Sequence, residues 1–331
     1  MPLSLKRDRL LALLASARSK RIAVVGDAML DVYLRGDVER ISPEAPVPVV
    51  RVKERKYALG GAANVVQNVR GLGADCDFVA AVGEDTGGAT LRGMLEAIGV
   101  APGSMIQIDR PTTMKTRIVA RGQQVVRVDE EEDDDLGGTD VQKLLAAVQT
   151  AVDKADALVL EDYNKGVLVP AIITGAIARA KARKIPIVVD PKYRNFFQYR
   201  GATVFKPNRR ELESALGAEV DLEHPDALPA ALAKLGVEHL LLTLGANGMA
   251  LISSAGDVKR VPTVAREVYD VVGAGDTVTA YLAAILAAGG TAVEASVIAN
   301  YAAGVEVGKS GAATVSADEV VEAFDEFIAR R

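Results

Sequence analysis

Short runs of consecutive apolar residues alternate with alanine-rich helical stretches from residue 21 onward, and this order constrains the fold more than any other feature. The clearest apolar runs are 22–25, 78–82, 157–160, 187–189, 203–205 and 240–244. They are continuously apolar rather than alternating, which is typical of strands buried on both faces of a parallel sheet. Between them, the stretch 62–72 carries Val65, Val69 and Leu72 at helical spacing. The chain is therefore predicted to form a doubly wound α/β domain, with a mostly parallel central sheet flanked by helices.

Two segments break this alternation. Residues 33–57 contain three prolines and no helical period. Residues 105–129 have the pattern of a hairpin, with strands at 116–120 and 125–129. Together they predict a small β-sheet, a lid, inserted into a single domain that spans 1–331. Such a lid could cover an active site and exclude water, and an edge extension without that role is the alternative.

Composition excludes several classes of protein and site. The formal net charge of −5 argues against nucleic acid or an anionic membrane surface as the main partner. Cys76 is the only cysteine and there are two histidines, so neither a disulfide within the chain nor a multi-histidine metal site is expected.

The first residues resemble a secretory signal only superficially. The apolar run 10–15 is shorter than a signal core of roughly 7–15 residues, and 4–19 is predicted to be an amphipathic helix. No run approaches the ~20 apolar residues of a membrane span, so a cytoplasmic protein is expected. The acidic run 129–135 is predicted to be a solvated connection.

The strongest chemical signal is Gly273-Ala274-Gly275-Asp276, directly before the apolar helical stretch 278–288. Two glycines at a helix start leave backbone N–H groups unencumbered, and these groups together with the helix dipole bind anions such as phosphate. Asp276 is a candidate catalytic base beside that site. It could instead be a plain N-cap, although an N-cap leaves the glycines before it unexplained.

Three weaker signals accompany it, two of them at the ends of predicted strands. Gly60 and Gly61 run into a helix, which suits either close approach of a ligand to the backbone or tight helix packing. Asn208 and Glu211 share one helical face and offer oxygens suited to hydrated Mg²⁺, but a capping box explains the same spacing. The tight turn at 243–248 could wrap a nucleotide, as could many such turns in α/β proteins.

In this order and spacing, the signals resemble the ribokinase-like (PfkB) family of carbohydrate kinases along nearly the whole chain. The matching strings are Gly26-Asp27…Asp31, Gly60-Gly61…Asn64, Asn208-x-x-Glu211, Thr243-Leu244-Gly245 and Gly273-Ala274-Gly275-Asp276. The last is the family's most diagnostic motif. The resemblance implies a β lid on an α/β body, ATP and Mg²⁺ as cofactors, a sugar as phosphoryl acceptor, and a homodimer formed through the lid.

The resemblance also implies roles for individual residues. Those that would contact the sugar are Asp31, Gly60, Gly61 and Asn64. Those that would serve ATP and, indirectly, Mg²⁺ are Asn208, Glu211, Thr243, Gly245, Gly248 and Asp270. The anion hole and the base would be Gly273, Ala274, Gly275 and Asp276. Asp270 matches a position where several members bind a monovalent cation, but Val272 departs from the usual threonine there.

Longer strings resemble the branch of this family that phosphorylates the anomeric hydroxyl of D-glycero-D-manno-heptose 7-phosphate in lipopolysaccharide biosynthesis. These strings are 26–33, 40–49, 112–117, 161–166 and 190–192. Many members of that branch carry a second, nucleotidyltransferase domain. This chain stops at Arg331 without a His-x-Gly-His element, which favours a kinase domain alone.

A basic face on the hairpin favours a phosphorylated substrate. Lys115, Arg117 and Arg121 would share one strand face, and Arg127 would oppose them on the returning strand. Arginine binds phosphate in a bidentate way, so this face suits a distant sugar phosphate; a solvated edge with ordinary charges is the alternative. The lysines that follow strands on the same side of the sheet are Lys165 and Lys192.

Two other functions remain open at this point. One is a kinase for another small substrate, such as ribose, fructose 6-phosphate or a nucleoside. The other is a noncatalytic sugar-sensing protein on the same fold, which the intact Gly-Ala-Gly-Asp string disfavours because a binder needs no base. A dinucleotide-binding dehydrogenase is disfavoured because the first strand lacks the required glycine spacing.

Overall fold

The computed structural model describes residues 5–101, 103, 105–224, 228–265, 269–309, 311 and 313–330. Its helices are α1 (Arg7–Ala17), α2 (Ala62–Leu72), α3 (Thr86–Ala97), α4 (Gly138–Lys154), α5 (Pro170–Arg183), α6 (Arg209–Leu216), α7 (Leu228–Leu235), α8 (Ala274–Ala287), α9 (Ala292–Glu306) and α10 (Ala317–Ile328). Its strands are β1 (Arg21–Gly26), β2 (Ala28–Ile41), β3 (Pro48–Gly61), β4 (Asp75–Gly83), β5 (Met105–Ile108), β6 (Met114–Ala120), β7 (Gln123–Glu130), β8 (Ala157–Glu161), β9 (Ile187–Asp190), β10 (Val204–Phe205), β11 (His239–Thr243), β12 (Met249–Ser253) and β13 (Val258–Val261).

The large sheet has nine strands in the order β13-β12-β11-β10-β9-β8-β1-β4-β5. Strands β5 to β11 in this order are parallel, and β12 and β13 extend the edge in antiparallel fashion. The strand order reverses at β1, which lies between β4 and β8. The six predicted strands all lie in this sheet, and the predicted helix 62–72 is α2. The predicted doubly wound α/β fold is confirmed.

Helices cover both faces of the large sheet, which explains the continuously apolar strands. Along β1, Ile22 and Val24 belong to one core cluster, whereas Ala23 and Val25 belong to the other. Side chains of α1, α2, α3, α8, α9 and α10 fill the first core. Those of α4, α5, α6 and α7 fill the second. Because successive strand residues point to opposite faces, both must be apolar.

The lid is a separate four-stranded sheet in the order β3-β2-β6-β7. β2 and β3 form one antiparallel hairpin, β6 and β7 form another, and β2 runs parallel to β6. The first hairpin extends beyond 33–57 at both ends, because β2 begins at Ala28 and β3 ends at Gly61. The lid strands therefore run directly into the loop after β1 and into α2.

The boundaries of the second lid segment differ from the sequence-based range 105–129. Met105–Ile108 forms β5, which pairs with β4 at the edge of the large sheet and buries Met105 and Ile108. The hairpin turn consists of Arg121 and Gly122 alone, both with positive φ (51° and 78°). This is the backbone of a tight two-residue hairpin loop, and it lengthens both strands relative to the prediction.

The predicted N-terminal helix is confirmed. It spans Arg7–Ala17, which is shorter than the predicted range 4–19. Residues 1–4 lie outside the described part of the chain. The helix buries Leu10, Leu13 and Leu14. Among the described helices, none combines the length and the apolar character needed to cross a bilayer.

Gly26 ends β1 where the two halves of the sheet meet, and a Cβ there would lie 2.1 Å from the backbone oxygen of Glu161. Gly26→Ala should therefore force β1 and β8 apart and lower the free energy of unfolding by more than about 2 kcal/mol. Gly93→Ala is the matched control. It lies in α3 with nothing within 4 Å of its added Cβ and should stabilise the protein by about 0.5–1 kcal/mol. Urea unfolding measures both, and equal stabilities would contradict the close approach.

Candidate active site

Polar residues gather where the strands of the large sheet end. Asp27 follows β1, Glu161 ends β8, Asp190 ends β9 and Lys206 follows β10. The carboxyl ends of parallel strands meet at one edge, and ligands of doubly wound folds bind there, beside the point where the strand order reverses. Helix α8 packs against β8 and β9 and brings Asp276 to the same edge.

Asp276 lies in the first turn of α8 and is buried. The N-cap of this helix is Gly273, so the alternative that Asp276 is the N-cap is wrong. The Asn64 amide donates a hydrogen bond to Asp276 Oδ2 at 2.7 Å, and the Tyr163 hydroxyl donates to Oδ1 at 2.8 Å. The carboxylate is thus held from two sides, by α2 and by the loop after β8.

Asp276 belongs to a buried cluster of three acids. One oxygen from each of Glu161, Asp190 and Asp276 lies within 4.8 Å of the others, close enough for a divalent cation to bind among them. The Lys206 ammonium already supplies one positive charge, 2.7 Å from Asp190 Oδ2. Neither carboxyl oxygen of Glu161 has a hydrogen-bond partner within the described residues. The cluster therefore holds more acid groups than cations.

This imbalance raises the pKa values of the acids. Burial raises the pKa of Asp276 to about 6, against the hydrogen bonds from Asn64 and Tyr163, which lower it. Burial, and then the charges of Asp190 and Asp276, hold the pKa of Glu161 well above its usual value. Burial alone would lower the pKa of Lys206, but Asp190 and Glu161 outweigh that and raise it. Near neutral pH, Asp276 is consequently an ionised base, whereas burial and the neighbouring acids favour the protonated form of Glu161.

The sequence patterns predicted no role for four residues of this site: Glu161, Asp190, Lys206 and Tyr163. One signal was available: a charged residue at the carboxyl end of a continuously apolar strand must lie at the edge where ligands bind. Glu161 and Asp190 both fit this pattern.

The predicted anion hole is the N-terminus of α8. Gly273 has φ +95°, and the Thr277 N–H makes the first intrahelical bond, to Gly273 O at 2.9 Å. The amides of Gly275 and Asp276 precede that bond and have no carbonyl partner within the helix. A Cβ on Gly275 would lie 3.6 Å from Lys206 Nζ. A helix N-terminus and a lysine therefore face the same space, which favours a phosphoryl group there.

The predicted sugar-contacting residues come together beside Asp276. Asp31 on β2 and Asn64 in the first turn of α2 are both buried. Gly60 lies so close to Asp31 that a Cβ would be 2.6 Å from Asp31 Oδ2. Gly61 is the N-cap of α2, with φ +56°. Close packing of Gly60 is therefore observed, and close approach of a sugar to this backbone stays a prediction.

The basic residues of the lid separate into two groups. Arg117 makes an ion pair with Asp31, and both side chains are largely buried. Lys115 contacts Glu131 at 2.7 Å and Asp129 at 3.2 Å. These two cations line the side of the lid that faces the body.

The other two lid arginines lie apart from this group. Arg127 opposes Arg117 in register, as predicted, but it is exposed and pairs with Asp129 at 2.9 Å. Arg121 is not on the shared strand face, because it forms the hairpin turn and donates to Val38 O at 3.1 Å. The prediction that Arg121 shares one strand face with Lys115 and Arg117 is therefore wrong.

The acidic run 129–135 was predicted to be a solvated connection. The structure differs, because ion pairs hold part of the run against neighbouring loops. Glu131 makes ion pairs with Lys115 and with Lys165, the latter at 2.8 Å. Asp133 pairs with Arg194 at 2.6 Å. The run is held against the body because cations on neighbouring loops face it.

The loop after β8 carries both Tyr163, which bonds Asp276, and Lys165, which faces the lid. The buried Asp27 carboxylate accepts the backbone N–H groups of Tyr163 (2.8 Å), Lys165 (3.0 Å) and Val167 (3.1 Å). Lys192 Nζ lies 5.3 Å from the centre of the Tyr163 ring. Three donors on one carboxylate fix the loop, and with it Tyr163 and Lys165.

Asn208 and Glu211 form the capping box that the sequence left open. The Glu211 N–H donates to Asn208 Oδ1 and the Asn208 N–H donates to Glu211 Oε2, each at 2.9 Å. The second Glu211 oxygen contacts Lys192 at 2.5 Å. Because these oxygens are occupied, the residues suit Mg²⁺ that is reached through water or phosphate oxygens rather than directly.

A cleft of about 400 Å³ reaches the N-terminus of α8. The predicted nucleotide residues Thr243, Gly245 and Gly248 line one side, and Gly275 lies at one of its walls. Its size and its largely apolar lining suit an adenosine group. Asp270 accepts the Val272 N–H at 3.0 Å, and a monovalent-cation role for it stays a prediction.

Comparison with known proteins agrees with this geometry. The family model described as "pfkB family carbohydrate kinase" matches residues 19–319. The chain belongs to the pfkB family of carbohydrate kinases. It is 45% identical over 320 residues to the bifunctional protein HldE of Rhodospirillum rubrum, covering 94% of this chain and 63% of that protein. It is 44% identical over 317 residues to HldE of Caulobacter vibrioides, covering 95% and 65%. The chain thus spans less than two thirds of these relatives.

Solved structures show the same fold at lower identity. Ribokinase of Arabidopsis thaliana, complexed with ribose and ATP, has a TM-score of 0.72 and 22% identity, over 92% of this chain and 98% of that one. Phosphofructokinase-2 of Escherichia coli has a TM-score of 0.75 and 18% identity, over 93% and 99%. These likenesses concern the fold, and the ribokinase-like architecture is confirmed.

The pKa of Asp276 generates a prediction about pH. Phosphoryl transfer should weaken as pH falls through about 6, because only the ionised carboxylate accepts a proton. Tyr163→Phe removes a hydrogen bond that lowers this pKa, so the acid limb of the kcat/KM profile should move to higher pH. Tyr199→Phe is the control, since the Tyr199 hydroxyl bonds Asp162 instead. An acid limb that does not move in Tyr163→Phe would contradict the assignment.

Proposed function

We propose that the protein transfers the terminal phosphoryl group of ATP to the anomeric (C1) hydroxyl of D-glycero-D-manno-heptose 7-phosphate. The product is heptose 1,7-bisphosphate, an intermediate of the cytoplasmic route to ADP-heptose and the lipopolysaccharide core. The observation that carries the proposal is the placement of the buried Asp276 carboxylate. It lies between Asn64 and Tyr163 on one side and the Lys206–Gly275 anion site on the other.

The residues divide the chemistry between them. Asp276 orients the acceptor hydroxyl and takes its proton. The phosphoryl group passes beside the Gly275 amide and the Lys206 ammonium, which stabilise the negative charge that it carries during transfer. Mg²⁺, organised through Asn208 and Glu211, would neutralise the phosphates of ATP. Most of the catalytic effect comes from alignment and charge, because phosphoryl transfer needs little covalent help from the protein.

The far end of the acceptor would be recognised by cations of the lid and of the loop after β8. Lys115 and Arg117 lie on lid strand β6 beside Asp31, and Lys165, on the loop after β8, shares the Glu131 carboxylate with Lys115. A sugar phosphate extending from Asp276 toward these residues would place its phosphate among them. The strings shared with the heptose kinase branch, and the 45% and 44% identity to proteins named HldE, support the heptose as acceptor over other sugar phosphates.

Asp276→Asn tests the catalytic role. The amide cannot accept the proton, so turnover of heptose 7-phosphate with Mg²⁺ and ATP should fall roughly 10²–10⁴-fold. Folding should be retained, because the side chains are of equal size, and thermal unfolding checks this. Asp325→Asn, on an exposed carboxylate paired with Arg7, should keep wild-type turnover. A folded Asp276→Asn protein with near-normal turnover would exclude Asp276 as the base.

We also propose that the protein is a homodimer formed through the lid. The lid exposes several aliphatic residues, on both edge strands, at the end of β2 and on the turn between β2 and β3: Ile41, Val47, Val52, Val125, Val126 and Val128. Covering such side chains stabilises a subunit interface.

Val126→Lys should therefore give a monomer by light scattering at micromolar concentration. Ile328→Lys, which changes an exposed residue of α10, should leave the dimer intact. A monomeric wild-type protein at that concentration would contradict the proposal.

A further inference from the structure

Glu131 joins the lid to the body at the substrate end of the site. Its carboxylate contacts Lys115 Nζ at 2.7 Å and Lys165 Nζ at 2.8 Å, one through each oxygen. The three side chains are 26%, 16% and 14% exposed, respectively. A carboxylate shared by two largely buried ammonium groups is unlike the screened ion pairs of an open surface.

The two lysines come from different parts of the protein. Lys115 lies on β6 of the lid and pairs in register with Asp31 of β2. Lys165 lies on the loop after β8, two residues beyond Tyr163, which bonds Asp276. Asp27 fixes this loop through three backbone hydrogen bonds. Glu131 is therefore the link between a lid strand and the loop that carries a partner of the catalytic base.

The two lysines of this cluster already have carboxylate partners. Burial tends to raise the pKa of Glu131, but Lys115 and Lys165 outweigh it and hold the pKa below its usual value, so Glu131 is ionised at neutral pH. Lys115 also contacts Asp129, and Asp129 makes a second ion pair with Arg127. A phosphate dianion that approached both lysines would meet the Glu131 carboxylate first. The phosphate and the Glu131 carboxylate would therefore compete for the same ammonium groups.

We propose that Glu131 is an internal stand-in for the phosphate of the substrate, which holds Lys115 and Lys165 in place and is displaced when a phosphorylated sugar binds. This rests on the proposed function, which places the sugar phosphate at these lysines. The phosphoryl group carries up to two charges and three acceptor oxygens, so it can replace the carboxylate on both lysines. A neutral sugar cannot, because displacing Glu131 would leave the largely buried Lys165 ammonium without its carboxylate partner and Lys115 with Asp129 alone.

Glu131 thereby acts as a specificity-determining residue.

The test compares Glu131→Gln with the wild-type protein, using inorganic phosphate as probe in calorimetry and measuring KM for heptose 7-phosphate and for the unphosphorylated heptose. Loss of the competing charge should tighten phosphate binding and lower KM for heptose 7-phosphate by about three- to tenfold. KM for the unphosphorylated heptose should not fall by a comparable factor. Glu131→Asp, which keeps the charge, should lie near wild type in both measurements.

Glu130→Gln is the matched control. It makes the same change of charge one residue away, at an exposed position without an ion pair to any residue that the structure describes, and should leave phosphate binding unaltered. Phosphate affinity that is equal or weaker in Glu131→Gln would overturn the displacement. If wild-type protein fails to prefer the phosphorylated heptose, the proposed substrate is wrong, but tighter phosphate binding by Glu131→Gln would still support the role of Glu131.

Discussion

The burial of three carboxyl groups beside one lysine is the constraint on which the rest of the site depends. Asp276, Glu161 and Asp190 share a space that contains Lys206 as its compensating cation. Burial raises the pKa of Asp276 to about 6, so the carboxylate is a stronger base than an exposed aspartate and is still ionised at neutral pH. The fold tolerates this arrangement because Asn64 and Tyr163 donate hydrogen bonds to the charged form.

The loop that supplies Tyr163 also lies between the lid and the capping box of Asn208 and Glu211. Asp27, at the point where the strand order of the large sheet reverses, fixes the loop that presents Tyr163 and Lys165. Lys165 reaches toward the lid through Glu131, whereas Lys192 lies beside Tyr163 and reaches Glu211. Ion pairs and hydrogen bonds therefore connect both ends of the site to Tyr163, the partner of the base.

Much of the fold follows from the sequence because its signals are local. Each buried strand is one apolar run, and α2 follows from Val65, Val69 and Leu72 on one face. Asp276 and its glycines were identified for the same reason, since a helix start is visible in a few residues. The ion pairs of Glu131 and the contact between Lys206 and Asp190 were not predicted. They join residues that come together only when strands and loops pack. The predicted boundary of the lid was wrong at Met105–Ile108, which pairs with β4 of the large sheet. A short apolar strand fits the edge of either sheet.

The proposed reaction is tested most directly by measuring ATP consumption with Mg²⁺ and heptose 7-phosphate, fructose 6-phosphate, ribose or adenosine, with ³¹P NMR of the products. We expect rapid turnover of the heptose, a new anomeric phosphate signal beside the retained 7-phosphate, and poor turnover of the other three. Preferred phosphorylation of ribose or adenosine, or a new phosphate at a non-anomeric carbon of the heptose, would contradict the proposed reaction.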